Sequence, residues 1–176
     1  MSNTSIRESL ERISARITER PDIAKVKNSS AVATLVDGLF CQTRGPNNEA
    51  VTTDMPAAMG GTGTAPNPGW LFRAALASCG ATTIAMRAAK VGIPLSLLEV
   101  TVESESDNRG ILGLDAEVPA GFTQLTTRVR IGSNEASADT LEELVRWADA
   151  HSPVGCTVCK TSEYTLAVEV VPPEAI

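Results

Sequence analysis

The chain has 176 residues and a net charge of −6. That is enough for one domain with a full core, and the acidic balance disfavours nucleic acid and anionic membrane surfaces, which both need a basic face. Four cysteines, in a sequence whose first twenty residues are charged throughout and lack an apolar run before a cleavage site, read as free thiols in a cytoplasmic setting.

The first predicted element is an amphipathic helix within residues 1–22. Ile6, Leu10, Ile13 and Ile17 repeat at helical spacing, Ser5 and Glu8 fit a capping box, and Pro21 ends it. Its apolar stripe must bury against the body of the protein or against a partner subunit. The runs Val32–Val36 and Leu39–Thr43 flank Asp37-Gly38 and read as a β-hairpin, and a short strand follows over Ala50–Thr53. A Gly/Pro-rich loop, Met59–Gly69, leads into the longest helical stretch, from Pro68 to Gly92. The loop lacks the Gly-Lys-Ser/Thr ending of a phosphate loop. The Gly69–Val91 part of that stretch would be about 34 Å long at 1.5 Å per residue, but Arg73, Arg87 and Lys90 interrupt it and its apolarity is mostly Ala, so it reads as a central helix rather than a membrane span.

Beyond Gly92-Ile93-Pro94, Leu98, Val100 and Val102 alternate with polar residues in a half-buried strand. Residues 104–121 read as a long polar connection, and Leu125, Thr127, Val129 and Ile131 mark the next strand. Asp139 and Glu142 suggest the start of a helix whose buried stripe is Leu141, Leu144, Val145 and Ala148. Ser152-Pro153 starts another short helix, and Tyr164, Leu166, Val168 and Val170 alternate in a final strand. Separated runs of strands and helices predict an α+β fold with antiparallel sheets packed around the long central helix.

Four groups of residues carry possible chemistry. Cys156-Thr157-Val158-Cys159 has dithiol spacing, but lies far from the first helix of a strand–helix–strand unit, where a thioredoxin-like motif belongs. A zinc site would have to combine these two cysteines with His151, the chain's single histidine, and one distant cysteine. His151 itself reads as a helix C-terminal residue. The acidic run Glu103, Glu105, Asp107 and Asp115 reads as a solvated loop.

The remaining group centres on Cys79 in the long helix. Thiolate attack on a hydroperoxide O–O bond needs a stabilised sulfur anion, an apolar slot for the organic group, and a thiol to resolve the sulfenic acid. Cys79 lies too deep in its helix for the N-terminus to lower its pKa, so it needs a cation. Arg44 is the first candidate. Arg73, six residues earlier on the helix, points about 120° away.

Asn67-Pro68-Gly69-Trp70-Leu71-Phe72 followed by Ala74–Cys79, the preceding Gly-Gly loop, and Ser152-Pro153-Val154 resemble the OsmC/Ohr family over about residues 25–171. The N-terminal helix is then an extension. The resemblance implies an intertwined homodimer with two sheets around paired central helices. It also implies reduction of organic hydroperoxides, needing no metal or cofactor, with Cys79 as the attacking thiol at the dimer interface and a dithiol protein as a plausible reductant. The family's activating glutamate falls at Gly69 and its resolving cysteine at Ser152. Cys156, one helical turn beyond Ser152, is therefore the expected resolving thiol. Two other readings stay open: a non-catalytic dimer that binds an apolar small molecule, and a redox sensor using Cys156 and Cys159.

Overall fold

The computed structural model describes residues 3–160 and 162–171. Helix α1 spans Asn3–Glu19, and strands β1 (Val32–Asp37), β2 (Phe40–Arg44) and β3 (Ala50–Thr53) form an antiparallel sheet in that order. The long helix α2 runs over Pro68–Val91. It is followed by β4 (Leu97–Ser106), a single helical turn α3 (Asn108–Ile111), β5 (Phe122–Gly132), α4 (Ala138–Ala150) and α5 (Pro153–Cys159). The α+β class and antiparallel sheets expected from the sequence are present.

Helix α2 is the hub. Asn67 caps it by accepting the Trp70 N–H on its side chain, Pro68 occupies the position where a missing N–H costs nothing, and Gly92 ends it in the left-handed conformation at φ 78°. One face packs on the β4–β5 ribbon and α4. Ile84 and Ala88 of α2 meet Leu144 and Ala148 of α4 in the buried centre, with Leu98, Val100, Val129 and Ile131 of the ribbon against them. Val100 faces Val129 and Leu98 faces Ile131 across the ribbon, so the period-2 pattern puts all four on one side. The other side carries ion pairs, Glu99 with Arg130 and Glu103 with Arg128.

Several sequence expectations shift. Ser5 lies inside α1, which is already helical at Asn3, and so is not its cap. The hairpin turn falls on Gly38-Leu39, because Asp37 joins β1 and pairs with Phe40 through an irregularity in register. Strand β4 runs three residues into the segment expected to be a polar connection, α3 occupies Asn108–Ile111 within it, and β5 begins just beyond it at Phe122. Ser137, not Asp139, caps α4, accepting the Thr140 N–H. The final strand does not form: residues 162–171 have no regular structure, and Tyr164, Leu166, Val168 and Val170 stand in solvent with Val168 77% exposed. A strand needs a neighbour for its N–H and C=O groups, and the single chain supplies none there.

The loop that delivers the chain to α2 is built on a buried carboxylate that the sequence did not flag. Asp54, 1% exposed, accepts the Met55 N–H on one oxygen. Its other oxygen accepts the N–H and hydroxyl of Thr62 at 3.0 and 2.6 Å and the N–H and hydroxyl of Thr64 at 3.2 and 3.3 Å. A Cβ at Gly61 would run into the Met55 carbonyl, so the loop needs glycine at that position. The Thr62 hydroxyl, outweighing burial and aided by the Thr64, Met55 and Thr62 N–H groups, lowers the Asp54 pKa to about 2. Since the folded value lies below the unfolded one, this carboxylate contributes fully above pH about 4, and its contribution is lost as pH falls toward 2. Thermal melts from pH 5 downward should show Tm falling in wild type. Asp54→Asn should start from a lower Tm at neutral pH and fall less steeply with acid; parallel curves would remove Asp54 from the account.

Candidate active site

Cys79 sits in the fourth turn of α2, half-buried. The chain leaves α4, turns at His151 and enters α5 through Ser152, whose φ and ψ of −74° and 116° are those of a cap. Ser152 is 3% exposed, and its hydroxyl oxygen accepts the Gly155 N–H at 3.1 Å. The same hydroxyl donates its hydrogen to the Cys79 sulfur at 3.2 Å. Its two roles do not compete, since a hydroxyl accepts on a lone pair while donating its single hydrogen. Packing of α2 against α4 and α5 thus closes a contact between residues 73 positions apart.

Burial pushes the Cys79 thiol up. The Ser152 hydroxyl, the Val154 backbone N–H and the Thr83 hydroxyl oppose it and win, leaving the thiol below its ordinary value. All three are neutral groups, and the Ser152 hydroxyl is the side chain whose hydrogen is on the sulfur, since the Thr83 hydroxyl donates to the Cys79 carbonyl oxygen at 2.8 Å; a sulfur anion gains more from such a donor than a thiol does. Beside the site lies a cavity of about 380 Å³ with apolar walls from Leu76, Ile84, Val100 and Val129; Ser152 and Asp149 belong to its polar lining. A cavity of that size accommodates a small organic molecule.

The sequence candidates fall out as follows. Arg44 is engaged on β2, where its Nε donates to Gln42 Oε1 at 2.9 Å, in a sheet whose main contacts are among its own strands. Arg73 donates to the Ser104 hydroxyl at 2.9 Å and lies over the Phe122 ring. Cys156 is half-buried on α5 and directs its thiol to the Ala150 carbonyl at 3.4 Å. Gly69 lies against Phe122, where a Cβ would come within 3.4 Å of the ring. His151 stacks on Trp147 with its Nδ1 2.7 Å from the Trp147 carbonyl oxygen, and Arg87 covers Trp147. In the acidic run, Asp107 and Asp115 both pair with Arg109. Sequence reasoning missed Ser152 as a donor to the sulfur. Two signals pointed to the position: a Ser-Pro pair at a helix start, which announces a cap, and the resemblance that puts the family's resolving cysteine there, which implies nearness to Cys79 but not a hydroxyl hydrogen on its sulfur.

The fold and site define a thiol protein in which a central-helix sulfur is met by a hydroxyl from a later, short helix. The chain belongs to the OsmC-like protein family, whose profile matches residues 61–167, more than half of the chain. The fold is similar to that of an organic hydroperoxide resistance protein OsmC from Legionella pneumophila, at TM-score 0.56 and 23% identity over 76% of this chain and 90% of that one. It is also similar to an OsmC-like protein from Mycoplasma pneumoniae, at TM-score 0.66 and 17% identity over 78% and 91%. The organic hydroperoxide resistance protein OhrB of Bacillus subtilis aligns at TM-score 0.50 and 20% identity over 76% and 92%. No curated protein sequence matches the chain. Among the described residues, no helix is long and apolar enough to cross a membrane.

Proposed function

We propose that the protein is a thiol-dependent peroxidase that reduces organic hydroperoxides, with Cys79 as the attacking sulfur. The observation that carries this reading is the Ser152 hydroxyl donating to Cys79 beside an apolar cavity. Membership of the OsmC-like family, and relatives named for organic hydroperoxide resistance, point the same way. The thiolate attacks one peroxide oxygen, an S–O bond forms and the O–O bond breaks. Sulfur is oxidised by two electrons to the sulfenic acid, and the other oxygen leaves as the alcohol after taking up a proton. The organic group occupies the apolar walls of the cavity. Incubation with cumene hydroperoxide and no reductant should consume stoichiometric peroxide and leave Cys79 trappable by dimedone. No consumption, or oxidation confined to Cys156 and Cys159, would remove the peroxidase reading in favour of a binder or a redox sensor.

The working unit proposed is a homodimer. The chain exposes 13083 Å², whereas a compact monomer of 18.4 kDa exposes about 8,200 Å². The excess is apolar in places that matter: Val32, Leu35 and Val36 on β1, Ile13 and Ile17 on the outer half of α1, and the alternating residues of 164–170. A second copy covering these surfaces would bury an area typical of obligate dimers. Arg44, held on the same outlying sheet, would reach a Cys79 only across that interface, and its role as the thiolate's cation belongs to the dimer proposal. Sedimentation should give a dimer mass at micromolar concentration; a monomer there would overturn the proposal.

A further inference from the structure

We propose that oxidised Cys79 is resolved by a small thiol from solution, not by a second sulfur of this chain. The inference rests on the peroxidase reading of Cys79 and adds the co-substrate. The side chain that donates to the Cys79 sulfur ends in an oxygen, the buried Ser152 hydroxyl, held in place by the Gly155 N–H. A hydroxyl can stabilise a sulfenic acid by hydrogen bonding but cannot form a disulfide with it.

The other three thiols are held elsewhere. Cys156 donates to the Ala150 carbonyl at 3.4 Å. To attack Cys79 it would have to leave that carbonyl and pass the locked serine one turn before it on α5. Cys159 is exposed at the last position of α5, and Cys41 lies in β2, paired with Leu35 and Thr53 in the outlying sheet. Cys79 is only half-buried, and the serine that touches its sulfur lines a cavity beside it. The cavity of about 380 Å³ includes Ser152 and Gly155, and Arg146 and Asp149 line it too. Once the alcohol has left, a low-molecular-weight thiol can enter by the same route.

The chemistry closes without further reagents. An external thiol attacks the sulfenic sulfur, an S–S bond forms, and the hydroxyl leaves as water with the thiol's proton. A second molecule of thiol then attacks the external sulfur of the mixed disulfide, releasing the small disulfide and returning Cys79 to the thiolate.

The test compares wild type with a variant carrying Cys41→Ser, Cys156→Ser and Cys159→Ser together, using cumene hydroperoxide and 2-mercaptoethanol. The variant should turn over within about twofold of wild type, and mass spectrometry of wild type quenched during turnover should find 2-mercaptoethanol attached to Cys79. A Cys79–Cys156 disulfide in wild type, or a folded variant that oxidises at Cys79 yet stops after one turnover, would overturn the proposal while leaving the peroxidase reading standing. If Cys79 is not oxidised at all, the peroxidase reading falls and this inference with it. Should the triple variant not fold, the species found on Cys79 in wild type decides by itself.

Discussion

Cys79→Ser is expected to abolish hydroperoxide consumption, lowering it by about three orders of magnitude or more, to the background of the reductant itself. Sulfur attacks a peroxide because its anion is accessible near neutral pH and its valence shell is polarisable; a serine hydroxyl has neither property. The substitution is also mild for the fold. Oxygen is smaller than sulfur, Cys79 is half-buried, and the neighbouring Ser152 and Thr83 hydroxyls offer a new hydroxyl hydrogen-bonding partners. Tm and the circular dichroism spectrum should therefore stay close to wild type, so that lost activity reports lost chemistry. Cys159→Ser, at an exposed helix end, is the matched control and should turn over normally. Retention of full activity by Cys79→Ser would place the chemistry at another residue.

Much of the fold was legible because burial follows periodicity. The α2 span was read almost to the residue from Pro68 and Gly92, which mark where a backbone can enter and leave a helix. Alternation located β4 and β5 but not their ends, since Ser104, Glu105 and Ser106 extend β4 with polar residues that carry no apolar alternation. The C-terminal alternation from Tyr164 to Val170 predicted a strand that the single chain does not pair. Side-chain pattern reports which faces want burial, and it is silent on which chain supplies the neighbour. The site divided in the same way. Cys79 stood out through its local sequence. Asp54 depended on Thr62 and Thr64 folding back over it, and Ser152 on a contact across 73 positions, so neither role is written in neighbouring residues. Arg44 was chosen for its charge, and charge carries no information about which sheet will hold it or what that sheet will face.

Ser152→Ala is expected to lower kcat/KM by about ten- to a hundredfold at neutral pH, the effect of removing one hydrogen bond, about 1.5–3 kcal/mol, from a charged acceptor. Burial already opposes the Cys79 thiolate, and the Ser152 hydroxyl leads the groups that oppose burial. Taking it away must move the thiol upward, so the pH–rate profile and the rate of iodoacetamide alkylation should both shift to the alkaline side. The gap from wild type should then narrow as pH rises and the thiolate forms without help. The alanine also removes the acceptor for the Gly155 N–H, a cap loss of about 1 kcal/mol, which would lower Tm modestly but would not move a titration. Ser152→Thr separates the two effects, because it keeps both the hydroxyl and the cap and should restore most of the rate and the acidic profile. An alanine variant that is slower at every pH by the same factor would mean that Ser152 only shapes the turn into α5. A variant whose deficit disappears at alkaline pH would identify the serine hydrogen as what holds the Cys79 anion near neutrality.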